Sequence, residues 1–201
     1  MSVGPEDRTM TGRFLRGLLA AALTYGLALL LGAALFLAVI RLGVFGFLPI
    51  LFYRGLAGLG LTLLLLGAAM AWVTGRRRFG LDLARRDALG ASVTAVALLL
   101  AFFTLGPVTI DRSISVFLLG RFAGAPEGLE RRAVEDAFLR VYVADWAQIP
   151  RRLDEQVASG NLVREGDRYR LTPQGARFMG TARAMARLFG TDPRFVGPAP
   201  P

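Results

Sequence analysis

The sequence predicts an all-α membrane protein of three transmembrane helices, followed by a small α+β soluble domain. Three observations carry this. Gly17 to Ile40, Gly55 to Thr74 and Ala88 to Ile110 are runs of 24, 20 and 23 residues without a charge. A helix needs roughly 20 apolar residues to cross a bilayer core. Soluble core helices keep a polar face, and these runs have none. Composition then changes after Ile110: residues 111–201 hold 14 of the 24 arginines and 11 of the 15 acids.

The predicted order is an N-terminal cytoplasmic tail (1–16), a three-helix transmembrane domain (17–110, with spans at about 17–40, 50–74 and 88–107), a membrane-surface linker (111–125), a soluble domain (126–190) and a disordered Pro-rich tail (191–201). The first run exceeds the apolar region of a signal peptide, about 7–15 residues, and reads as a retained helix. Small residues recur in it at four-residue spacing: Gly17 with Ala21, Ala22 with Gly26, Ala28 with Gly32. That spacing permits close helix contact in lipid, although a chain this rich in Ala and Gly also produces it by chance. Gly106-Pro107 is expected to break the third helix.

Missing residue types exclude much chemistry. The chain has no histidine and no cysteine, and all of its basic residues are arginine. Imidazole or thiolate catalysis, Cys/His zinc sites, disulfides, Schiff bases and a Walker-A lysine are therefore out. No catalytic, cofactor-binding or metal-binding set stands out among the remaining Asp, Glu, Arg, Ser, Thr and Tyr, so a non-catalytic protein is expected. The exclusive use of arginine suggests a GC-rich bacterial genome.

Arginine also sets the expected orientation. The N-terminal flank and the 75–87 connection carry eight: Arg8, Arg13, Arg16, Arg76, Arg77, Arg78, Arg85 and Arg86. The opposite side carries four: Arg41, Arg54, Arg112 and Arg121. This predicts a bacterial inner membrane protein with a cytoplasmic N-terminus and a periplasmic C-terminal domain. Arg76, Arg77, Arg78, Arg85 and Arg86 are the expected contact with anionic lipid or a partner. Asp111, Arg112 and Ser113, with Arg54, form a candidate polar site at the membrane surface. Arg112 there either binds an anionic headgroup or lipid-linked phosphate, or snorkels beside a helix cap.

In the soluble part, Leu129 to Val143 has helical periodicity, with Leu129, Ala133, Val134, Ala137, Phe138 and Val141 on one face. Ile149, Leu153 and Val157 mark a second helix that Gly160 closes. Asn161–Glu165, the turn Gly166-Asp167 and Arg168–Leu171 read as a hairpin. Thr172-Pro173 starts a last helix to about Phe189, with Ala176, Met179, Ala182, Ala186 and Phe189 as its buried stripe.

From Arg152 to Gly175, with the step Leu171-Thr172-Pro173-Gln174-Gly175, this segment resembles the second half of MarR- or PadR-type winged-helix domains. The resemblance covers about residues 130–190 and implies a winged-helix-like fold. It departs from DNA-binding members. Tyr142–Ile149 stands where a short helix precedes the recognition helix, and Arg151 and Arg152 are offset by Asp154 and Glu155. The 14 arginines and 11 acids of residues 111–201 leave only +3, with signs interspersed. Phosphate binding needs a basic face. Arg151, Arg152, Arg168 and Tyr169 are therefore read first as a protein-interaction surface. The leading expectation is an accessory or docking subunit of a membrane complex, partnered by membrane lipids and by another membrane protein or a second copy. Alternatives are a membrane-anchored transcriptional regulator, requiring a cytoplasmic domain and nucleic acid, and an accessory or enzyme for a lipid-linked phosphate.

Overall fold

Most of the chain is helical, because its long apolar runs have no other way to satisfy their backbone groups away from water. The computed structural model describes residues 5–75 and 85–197, with side chains over 14–72 and 86–197. Two compact units result, Met1–Ser113 and Ile114–Pro201.

The first unit holds α1 (Pro5–Arg41), α2 (Leu51–Gly75) and α3 (Arg85–Phe103). Among the described residues, three stretches are long and apolar enough to cross a membrane: Phe14–Arg41, Leu51–Trp72 and Arg86–Arg112. Two expectations change here. Residues 5–16, expected as an N-terminal tail, are helical and continuous with α1, since no proline interrupts the helix before Pro49. Nor does Gly106-Pro107 end the third span. A π-helical segment, Thr104–Val108, carries the chain into α4 (Thr109–Arg112). The wider turn makes room for the proline ring, and the Thr109 hydroxyl donates to the Thr104 carbonyl at 2.9 Å.

α1 ends at Gly43, whose φ of +66° suits glycine. Gly43 N–H donates to Ile40 O at 3.2 Å and Val44 N–H to Val39 O at 3.4 Å, the paired bonds of a Schellman stop.

Packing among the three helices runs through small residues. Ala28, Leu66, Met70, Ala88, Ala91 and Ala95 form one buried cluster, and Phe36, Leu59, Leu99 and Phe103 another. The Phe103 ring meets Phe36 edge-on at 5.5 Å and lies against Gly55. Of the three small-residue pairs in α1, Ala28 with Gly32 is buried, Gly32 facing Leu66, Leu99 and Ala95. Nothing approaches Gly17 or Gly26, so the other two pairs are not part of this core. Buried hydroxyls bond back to their own helices: Thr24 to Ala20 O (2.7 Å), Thr62 to Gly58 O (2.8 Å) and Ser92 to Ala88 O (2.8 Å). Without such bonds each would carry a desolvation penalty.

The second unit begins with α5 (Ile114–Ala123), so residues 114–123 are a helix of this unit rather than a linker. The reason is Phe117. It is buried among Phe138, Tyr142 and Trp146 at ring separations of 6.3, 5.0 and 5.3 Å. Phe138 and Tyr142 sit on the π-helical continuation, Phe138–Asp145, of α6 (Arg131–Ala137), and Trp146 caps its end. Of the face read for this helix, Leu129, Val134, Ala137, Phe138 and Val141 are half-buried and Ala133 is exposed.

Then come α7 (Gln148–Ala158), β1 (Leu162–Glu165), β2 (Arg168–Leu171) and α8 (Pro173–Phe189). Gly160 ends α7 with φ +76°, and Asn161 N–H reaches Gln156 O at 3.0 Å. The strands pair antiparallel, Leu162 opposite Leu171 and Glu165 opposite Arg168. Thr172 caps α8: its hydroxyl accepts from Gly175 N–H at 3.0 Å and donates to Gly160 O at 2.7 Å. Thr172→Ala is expected to cost about 1 kcal/mol of the stability of this unit, with Thr172→Ser close to the parent. Chemical denaturation followed by far-UV circular dichroism measures it.

The stripe expected on α8 is half right. Ala186 is buried and Met179 and Ala182 are half-buried, but Ala176 is exposed and Phe189 is 72% exposed. Gly175 takes the inward place near Asn161 instead.

Residues 191–197 form structure in place of the expected disordered tail, while 198–201 lie outside the described residues. Pro193–Phe195 make a 3-10 turn, and Arg183 Nε donates to Val196 O at 3.0 Å. The Arg194 side chain, then its backbone N–H, bond Asp192 and hold its carboxyl below the ordinary value. A carboxyl depressed on folding stabilises above its ordinary pKa, and that contribution fades as pH falls through the folded value. The turn should therefore loosen only below the usual carboxylate range. Amide exchange at Arg194 should rise there, and Asp192→Asn should remove the pH dependence.

Candidate functional site

Polar chemistry in the described residues is local. Asp111 and Arg112 close α4, and Ser113 follows with extended backbone (φ −89°, ψ 114°), its N–H donating to Ile110 O at 3.4 Å. Asp111 and Ser113 are half-buried, Arg112 is exposed, and none of the three is unpartnered.

Arg54 is not drawn to Asp111. It lies in the first turn of α2, where Nε and one Nη donate to the Leu48 carbonyl at 3.3 and 2.9 Å. The guanidinium thus clamps the turn that precedes its own helix. Arg54→Ala is expected to lose about 1 kcal/mol and to open residues 42–50 to protease. Equal cleavage in parent and variant would argue against the clamp.

In the basic connection, Arg76, Arg77, Arg78 and the Arg85 side chain lie outside the described residues. Arg86 is 88% exposed and stands 3.8 Å from Asp87. Among the described residues, no group of His, Cys, Asp or Glu is placed to hold a metal ion.

The four residues read as an interaction surface fall into two places. Arg151 and Arg152 both turn to Glu155, four and three positions further along the same face of α7. Arg151 Nε is 3.4 Å from Glu155 Oε1, and Arg152 donates to both carboxylate oxygens at 3.0 and 2.8 Å. Glu155 is buried, and the two arginines neutralise it, Arg152 from a half-buried position and Arg151 while still 41% exposed. Arg168 and Tyr169 sit on β2, Tyr169 beneath the Arg164 guanidinium at 5.7 Å, and Arg170 pairs with Glu165.

What the sequence reading did not find is apolar. α8 carries, beside its inward stripe, a second one that is exposed: Phe178, Met185 and Phe189 at spacings of seven and four, flanked by Leu188. Their exposures run from 58% to 77%. A second apolar feature is a groove of about 440 Å³ between α5 and α6, lined by Ile114, Leu118, Val134, Glu135, Phe138 and Leu139. The spacing of Phe138, Tyr142 and Trp146 was a visible signal for the aromatic cluster; their partner Phe117 was not. No family model, no curated protein and no solved structure matches the chain.

Proposed function

We propose that this is a non-catalytic integral membrane protein of a bacterial inner membrane, whose C-terminal unit docks a partner within a membrane complex. The observation that carries this is the outward stripe of α8, Phe178, Met185, Leu188 and Phe189. Large exposed apolar patches on water-facing domains mark interaction sites. The engagement of Arg151 and Arg152 by Glu155 supports the same reading, since it offsets their charge on α7. The partner is another membrane protein or a second copy of this chain, with the N-terminus cytoplasmic and the unit periplasmic.

The order helix, helix, two-stranded wing, helix, with the Thr172 cap and Gly175 step, favours a winged-helix-like domain. That order also supports a second reading, a membrane-anchored regulator touching DNA through wing residues such as Arg164 and Arg168. Reporter fusions at residue 201 separate the two: activity only of the periplasmic reporter removes the regulator. For docking, photocrosslinkers at Phe178 and Leu188 in intact membranes should give one defined adduct, abolished by Met185→Glu. Crosslinking no greater than at Asp167 on the hairpin turn would contradict it.

A further inference from the structure

The turn that joins α1 to α2 is apolar throughout. Between Arg41 and Arg54 the chain has no charge, and Tyr53 is its one polar side chain. Gly58 lies against Phe36, Val39 and Ile40, so the two helices run side by side up to the turn. Turns in water are built from Gly, Pro, Asn, Asp and Ser. This one instead presents Leu42 at 78%, Phe47 at 77% and Val44 at 46% exposure. Only Ile50 is buried, and the Phe45 and Phe47 rings stand 6.2 Å apart. Exposed apolar surface continues on the adjoining turns of both helices, at Leu37, Tyr53 and Leu56.

The backbone of the turn suits an apolar medium, where unpaired N–H and C=O groups are costly. Leu42, Gly43, Val44, Gly46 and Leu48 each donate their N–H to a carbonyl between Ala38 and Phe45, at 2.8–3.4 Å. Pro49 has no N–H to satisfy. The Leu48 carbonyl accepts from the Arg54 guanidinium at 2.9 Å.

Depth follows from the helices on either side. The uncharged runs 17–40 and 55–74 have 24 and 20 residues, about 36 and 30 Å of helix at 1.5 Å per residue. A bilayer has about 30 Å of hydrocarbon within 40–45 Å in all. Either run fills the hydrocarbon, so Arg41 and Arg54 reach its edge and the residues between them reach the headgroup layer.

We infer that residues 42–50 insert into the interfacial layer of the surrounding membrane, with Leu42, Val44 and Phe47 among the phospholipid chains and Arg41 beside the phosphates. Exposed apolar patches mark membrane as well as protein contacts. Here the face offers no charge and no hydrogen-bonding side chain to fix the register of a protein partner, and lipid needs none. Tyr53, a ring with a polar tip, belongs to the same layer. The turn thereby sets the depth of this end of the bundle. The inference rests on the membrane-spanning part of the proposed function and needs neither the orientation of the chain nor a partner on α8.

The chain contains no cysteine, so single-cysteine spin labels test it without background. The full chain, in vesicles of phosphatidylcholine and phosphatidylglycerol, carries a label at Leu42, Phe47, Leu64 or Asp167. The first three positions are 78%, 77% and 71% exposed, so the label displaces no core contact. Collision with oxygen and with a water-soluble nickel chelate reports lipid or water at each site. Expected are oxygen-to-nickel ratios at Leu42 and Phe47 several times that at Asp167. A water-like ratio at either position overturns the inference, as do low collision rates with both reagents, which mean cover by protein. Leu64, midway along α2, keeps the two failures apart. A lipid signal there with water at Leu42 and Phe47 defeats only this inference; a water signal at Leu64 defeats the membrane reading as well.

Discussion

Gly55→Ala should destabilise the three-helix unit by about 1–3 kcal/mol, the usual cost of overpacking a filled core. Ala is the better helix former, so propensity alone predicts a gain of roughly 0.5–1 kcal/mol. The sign is set by Phe103. A Cβ at position 55 would overlap its ring, and the ring has little room to turn: it is 3% exposed, edge-on to Phe36, and packed with Leu59 and Leu99. Gly67→Ala is the control, since nothing lies within 4 Å of a Cβ there. Unfolding of the detergent-solubilised chain by SDS should rank Gly55→Ala well below the parent and Gly67→Ala at or above it. Adding Phe103→Leu to Gly55→Ala should recover part of the loss. Strictly additive effects would mean that the two positions do not press on each other.

Gly175→Ala should be the most damaging single substitution in the second unit, at about 3 kcal/mol. Here the obstacle is backbone. A Cβ would overlap the Asn161 carbonyl oxygen and come 2.7 Å from Leu171 Cδ1. That carbonyl also accepts from Thr172 N–H at 3.0 Å, so it cannot retreat without opening the junction between hairpin and α8. Gly180→Ala, in open space on the same helix, should stabilise by roughly 0.5–1 kcal/mol. If the proposed docking role holds, Gly175→Ala should also lose the α8 crosslink, because the exposed stripe is oriented from this junction. Chemical denaturation of both variants checks the opposite signs.

These two glycines show what the sequence made legible. Gly175 was noticed as part of the Leu171–Gly175 step, and the close approach of Asn161 explains why glycine stands there. Gly55 was only the first residue of an uncharged run, because its role depends on a ring from another helix. Local signals were read well. Gly160 ends α7, Gly166-Asp167 turns the hairpin, and Thr172 caps α8, each through bonds within a few residues. The pairing of Arg151 and Arg152 with Glu155 was equally local, three and four positions along one helix.

Tertiary effects were not legible. Pro107 reads as a breaker, yet the wider π-helical turn and the Thr109 hydroxyl absorb it. Ala176 and Phe189 share the period of the α8 core stripe but face outward, since periodicity names a face and not what covers it. Residues 114–123 looked like a linker because their anchor, Phe117, meets rings that come later in the chain. The exposed apolar stripe of α8 was hidden for the same reason. A sequence shows which residues are apolar, and only the packed chain shows which of them are left over.

Every role proposed for this protein requires lipid to be the solvent of α1, α2 and α3. Washing of isolated membranes with alkaline carbonate, which strips peripheral proteins, tests this most directly. The chain should stay in the pellet after high-speed sedimentation and leave it only when detergent is added. Recovery in the carbonate supernatant would contradict the assignment of the three apolar helices to a membrane.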